Sequence, residues 1–108
     1  MKPSPQDWPR ITAGVFYRDA NAAIDWLGRA FGFEPRLVVE GGDGDVVHSE
    51  LAFGDGLVMV ASAKQRPWLR SPRDLGGGNT QSLMVYVDDV DAHCARARAA
   101  GATIATEP

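Results

Sequence analysis

His48 and Glu50 are the ionisable side chains whose types and spacing point most directly to chemistry. Two residues apart on a strand, they share one face at about 6.6 Å. An imidazole and a carboxylate placed so can hold a polar ligand, move a proton or contribute to a metal site. A zinc or iron centre needs at least three protein ligands, and the pattern brings only these two together. The pair therefore reads as solvated or hydrogen-bonded residues at a sheet edge, as polar contacts or an acid/base pair for an organic molecule, or as part of a metal site. Cys94 is the single cysteine. It falls on the apolar stripe of a predicted helix, where a thiol acts as a small core residue. The run Gly76-Gly77-Gly78-Asn79-Thr80 lacks the Gly-Lys-Ser/Thr ending of a phosphate loop and reads as a flexible hinge.

Elements that could position His48 and Glu50 follow from periodicity. Residues 11–17 alternate as a strand with apolar side chains on both faces, which predicts a central position. Asp19 or Asn21 then caps a helix whose apolar residues Ala20, Ala23, Ile24, Leu27 and Phe31 recur at helical spacing up to Gly32. Residues 36–40 and 46–53 read as a hairpin, and Asp55-Gly56 as a two-residue turn into a fourth strand at 57–61. With that turn Phe53 faces Val58, Leu51 faces Val60 and Glu50 faces Ala61. Leu51, Phe53, Val58 and Val60 then meet the helices, while His48, Glu50, Ala52, Met59 and Ala61 line the opposite, open face.

Residues 62–80 carry Pro67, Pro72 and three consecutive glycines and read as a nineteen-residue loop with Trp68 in it. Loops of that length in a compact domain are usually functional or are linkers. Trp68 is either a lid over the open face or an apolar clip that pins the loop. Residues 81–87 alternate as a further strand, with Leu83 and Val85 inward and Ser82, Met84 and Tyr86 on the open side. Asp88 or Asp89 caps a second helix with the stripe Val90, Cys94, Ala97 and Ala100, Arg96 and Arg98 form its solvated side, and residues 102–106 begin another strand.

Segment 15–22 lies over segment 85–92 at an offset of seventy residues, and each runs strand, capping Asp, helix, Gly. The chain thus reads as α+β: one β-α-β-β-β module at about 9–61, a linking loop at 62–80, and a partial second module at 81–108. Its 108 residues allow one domain. The formal charge of −3 has the wrong sign for a nucleic-acid footprint. No signal peptide and no apolar run long enough to span a membrane are visible, and a lone cysteine suits a reducing compartment, so the expected location is cytoplasmic.

In order and spacing, Val15-Phe16-Tyr17-Arg18-Asp19, His48-Ser49-Glu50-Leu51-Ala52-Phe53-Gly54-Asp55-Gly56 and residues 81–90 resemble the vicinal oxygen chelate superfamily of glyoxalases, bleomycin-resistance proteins and extradiol dioxygenases. Ala99-Ala100-Gly101-Ala102 matches the family's end to its second helix. The resemblance implies paired β-α-β-β-β modules, with the last two strands of the second module lacking. It further implies that the histidine positions of metal-dependent members hold Thr12 and Ser82, and the family's terminal acidic hairpin is not reached. The expectation is a metal-free binding protein without cofactor that holds a small organic molecule on the concave sheet face, using Thr12, Phe16, His48, Glu50, Met59, Trp68, Ser82, Met84 and Tyr86. The alternative is a metal-dependent lyase, thiol transferase or dioxygenase whose ligands are completed by a tail or a partner chain. Unpaired strands in an incomplete second module invite a partner, so a homodimer is expected.

Overall fold

A computed structural model describes residues 1–108. Its sheet contains β1 (Ala13–Tyr17), β2 (Glu34–Glu40), β3 (Val46–Phe53) and β4 (Gly56–Ser62), with α1 (Ala20–Phe31) between the first two strands and α2 (Val90–Ala99) late in the chain. The strands lie in the order β1-β4-β3-β2. β1 runs parallel to β4, and β3 is antiparallel to both β2 and β4. A parallel neighbour for β1 needs a crossover, and α1 supplies the link that carries the chain to the far edge of the sheet.

Local chemistry sets the ends of α1. Asp19 accepts a hydrogen bond from the Ala22 backbone N–H at 3.0 Å and satisfies a donor of the first turn. Gly32 ends the helix in the left-handed region at φ +88°, where its N–H returns to Gly28 and Leu27. Between these caps Ala20, Ile24 and Leu27 pack onto Phe33, Val46, Leu51, Val58 and Val60, which together form the core. Each aliphatic side chain buried there contributes roughly 1.5–3 kcal/mol. The predicted inward set is confirmed: Leu51, Val58 and Val60 are buried in the core and Phe53 packs against it.

The β3–β4 register differs from the expected one by two residues. Leu51 pairs with Val58, Ala52 with Leu57 and Phe53 with Gly56, so the two turn residues are Gly54 and Asp55. Gly54 has φ +57° whereas Asp55 does not enter the positive-φ region. A single positive φ at the first central position is the pattern of a type II′ turn, which requires glycine there. A shift of two preserves the alternation of faces, so the core assignment holds although every pairing moved.

Three further expectations are corrected. β1 is an edge strand rather than a central one. Residues 81–87 and 102–106 form no strands: their backbone groups enter no ladder, and the free edge of β1 is met by the Gln81 side chain instead of by a strand. The second module therefore contributes only its helix as regular structure. The stripe on α2 is also largely unpartnered: Ala97 is buried, Cys94 is half-buried, and Val90 is exposed.

α2 is held to α1 by polar contacts. Trp26 Nε1 donates to the Ala100 carbonyl at 2.7 Å. Arg96, expected on a solvated face, donates through Nε to the Arg29 carbonyl at 3.0 Å and through Nη2 to the Gly28 carbonyl at 2.9 Å. Its charge thus meets the carbonyl end of α1, where a cation is favoured. The linking loop is more ordered than its composition suggests, with short 3-10 turns at Ala63–Gln65 and Pro72–Leu75. Ser71 and Asp74 cap the second turn reciprocally.

Candidate functional site

The open face of the sheet, opposite the helices, has a polar centre on β3. Leu51 points into the core, so by alternation Glu50 projects to the open side. Its neighbour but one, His48, lies on the same side, and His48 Nε2 sits 3.0 Å from Glu50 Oε2. Arg36 completes the group by donating from Nε to Glu50 Oε1 at 2.9 Å. β2 is irregular between Pro35 and Leu37, and Arg36 stands at that irregularity. Both oxygens of Glu50 are therefore engaged, and its side chain keeps only 11 % of its exposure. The hydrogen bond from His48, then that from Arg36, holds the Glu50 carboxyl below its ordinary range, outweighing the upward push of burial.

Arg36 has two further partners from the amino-terminal segment. Its Nη1 donates to the Asp7 carbonyl at 2.6 Å, and its guanidinium lies 4.8 Å from the centre of the Trp8 ring, in cation–π range. Trp8 and Arg36 are the site residues that the sequence reading missed. Arg36 enters the sequence pattern only as the first residue of the 36–40 strand, and Trp8 lies in a segment without periodicity. An Arg on β2 and a Glu on β3 signal a cross-strand pair once the register is known, and the bulge at Arg36 hides that register.

Other predicted residues fall in separate places. Phe16 lies over Gly14 on β1, and Gly14 pairs with Met59 on β4, so Phe16 and Met59 share the open face with Glu50. Thr12 is half-buried just before β1. Phe16 and Ser82 also border a cavity of about 440 Å³ that opens along the outer edge of β1, with Tyr17, Phe31 and Leu83 among its walls. Burial there pushes the Tyr17 hydroxyl up. Across the mouth Gln81 Nε2 donates to the Gly14 carbonyl at 2.9 Å, a side-chain amide standing where a neighbouring strand would place a backbone N–H. Met84 and Tyr86 are 81 % and 89 % exposed and border a second cleft beside Phe53. Trp68 is 73 % exposed and lines none of these spaces. The structure thus groups His48, Glu50, Phe16 and Met59 and leaves Trp68, Met84 and Tyr86 apart from them.

The family model described as Glyoxalase/Bleomycin resistance protein/Dioxygenase superfamily matches residues 10–108. The chain belongs to this superfamily. Its fold is similar to the crystal structure of TioX from Micromonospora sp. ML1, with 36 % identity and a TM-score of 0.65 over 90 % of this chain and 74 % of that one. A gene product from Arabidopsis thaliana shares the fold at 21 % identity and a TM-score of 0.68, covering 85 % of this chain and 70 % of that one. A glyoxalase/bleomycin resistance protein from Streptomyces sp. CB03234 does so at 23 % identity and a TM-score of 0.59, covering 83 % and 72 %. Comparison with curated proteins gives no match.

The superfamily includes metal-dependent members, so the donor set bears on how this chain is read. No three His, Cys, Asp or Glu side chains cluster in the structure. Both Glu50 oxygens are committed to Arg36 and His48, and the positions to which the resemblance assigns metal-binding histidines hold the hydroxyls of Thr12 and Ser82. The residues present do not fit a divalent centre.

Proposed function

We propose that the chain binds a small organic molecule on the open face of its sheet without a metal ion, and that a second copy supplies the remaining wall. The observation that supports this most is the make-up of that face. A buried, fully hydrogen-bonded Glu50 with His48 and Arg36 forms a rigid polar centre, and Phe16, Met59 and the exposed Leu37 and Val39 form an apolar floor. A few fixed polar groups in apolar surroundings are the usual composition of a small-molecule site. Thr12 and Ser82 supply hydroxyl contacts in this reading, and Trp68, Met84 and Tyr86 come from the partner or from a loop that closes.

The second copy is supported by area. A folded monomer of 11.6 kDa should expose about 5,800 Å², whereas this chain exposes 7581 Å². The excess is about twice the roughly 800 Å² that each partner buries in a standard interface. Leu83, Met84, Val85 and Tyr86 form a consecutive apolar run that is exposed in the single chain. We further infer from the unpaired Cys94 that the chain works in the cytoplasm.

Calorimetry against a panel of glycopeptide and aromatic compounds tests the binding reading. Saturable binding at micromolar concentration is expected, and heats indistinguishable from dilution across the panel overturn it. Metal analysis of protein purified without chelator tests the other half of the proposal. A stoichiometric divalent ion that disappears in His48→Ala replaces this reading with the metal-dependent one.

A further inference from the structure

Arg36 has more hydrogen-bonding capacity than the protein uses. A guanidinium carries five N–H groups in a rigid fork. One, on Nε, goes to Glu50, and one, on Nη1, goes to the Asp7 carbonyl. Three remain, all on the two terminal nitrogens, and the side chain is still 30 % exposed. Its orientation is fixed from two sides, because Glu50 holds the Nε edge while the Trp8 ring stacks at 4.8 Å. Beside it the ring of His48, 40 % exposed, has Nε2 occupied by Glu50 and Nδ1 without a partner.

Charge and shape together select what such a corner can hold. The carboxylate of Glu50 has both oxygens engaged, so it offers little to a cationic ligand. The free groups on the Arg36 fork are all donors. A planar fork with free N–H groups on both terminal nitrogens matches the two oxygens of a carboxylate, the geometry in which arginine binds most strongly and specifically. Leu37 pairs with Glu50 and Val39 with His48 across the β2–β3 ladder, which puts both aliphatic side chains on the same face as the polar centre. They are 44 % and 40 % exposed. An apolar strip thus lies alongside a donor fork.

We propose that the outward fork of Arg36, braced by Glu50 and Trp8, is a carboxylate-binding site, and that the ligand of the open face is a small organic acid with an apolar body. This rests on the binding reading given above and names its ligand class. Losing a hydrogen bond to a charged group typically costs 1.5–3 kcal/mol, so an acid should bind about ten-fold or more tighter than its uncharged isostere.

The probes are 1-naphthoate and 1-naphthamide, nearly identical in shape and different in charge. Calorimetry on the unaltered protein should give at least about a ten-fold preference for the acid. The Nε–H resonance of Arg36 in nitrogen-correlated NMR should shift during the naphthoate titration and stay in place with the amide, which locates the site without any substitution. Arg36→Lys retains the charge and loses the fork, and should reduce the preference for the acid over the amide to about two-fold. Equal binding of acid and amide, or a preference for the acid with an unmoved Arg36 resonance, overturns the carboxylate site and leaves the binding reading standing. If neither naphthalene probe binds while another compound of the panel does, the carboxylate site again falls alone. If nothing binds at all, both fall.

Discussion

At the scale of single residues, the ionisable groups that matter are those whose partners change their proton affinity. Glu50 is held low by His48 and Arg36, and Asp74 in the linking loop is held down to about 2 by the Arg18 hydrogen bond and then by Ser71. Arg18 Nη2 donates to Asp74 Oδ1 at 2.5 Å and ties the loop to the end of β1. A carboxyl lowered by folding binds its proton less tightly in the native than in the unfolded state. Its contribution is therefore complete above the unfolded value, near 4 for an aspartate, and is lost as pH falls through the folded value. Asp74→Asn should flatten the fall in stability between about pH 4 and about 2, measured as urea midpoints at half-unit steps. The effect should shrink in high salt, since the Arg18 side chain is 55 % exposed and the pair is screened. Parallel acid limbs for the two proteins contradict this assignment.

At the scale of elements, the β3–β4 hairpin shows what a two-residue slip costs a reading and what it spares. Asp55-Gly56 has the commoner hairpin signature, yet Gly54-Asp55 forms the turn, with the positive φ at Gly54. A Cβ at Gly54 would meet nothing within 4 Å, so the effect of Gly54→Ala is purely one of backbone conformation. It should cost about 1–2 kcal/mol in urea denaturation, and Gly54→Asn less, because asparagine tolerates the left-handed region. The start of α1 is as specific: Asp19→Ala removes the acceptor for Ala22 N–H and should cost about 1 kcal/mol. No loss in either protein would place the turn or the cap elsewhere.

At the scale of the whole molecule, the unusual quantity is surface. Only 18 of 108 residues are buried, and α2 buries a single side chain. A radius of gyration of 14.6 Å exceeds the roughly 13 Å expected at this length. A second copy that covers residues 83–86 should make light scattering report about twice 11.6 kDa at tens of micromolar. Tyr86→Asp is the sharper test. That side chain is 89 % exposed in the single chain, so its replacement leaves the monomer fold intact and should shift the mass toward one copy. A monomer at that concentration before substitution rules the dimer out.

The sequence by itself determined the family, the order of β1, α1, β2, β3 and β4, and the division of side chains between core and open face. These depend on alternation, helical spacing and caps, all of which are local, and alternation survives a register shift of two. Only the tertiary structure decided that β1 is an edge and that residues 81–87 have no ladder, because strand status depends on a neighbour that local pattern cannot supply. It also decided that His48 and Glu50 are two members of a group of four. Arg36 reaches Glu50 through a bulge, and Trp8 reaches Arg36 from a segment with no periodicity at all. Contacts between residues far apart in sequence depend on register and chain path, and those are settled only when the whole sheet has formed.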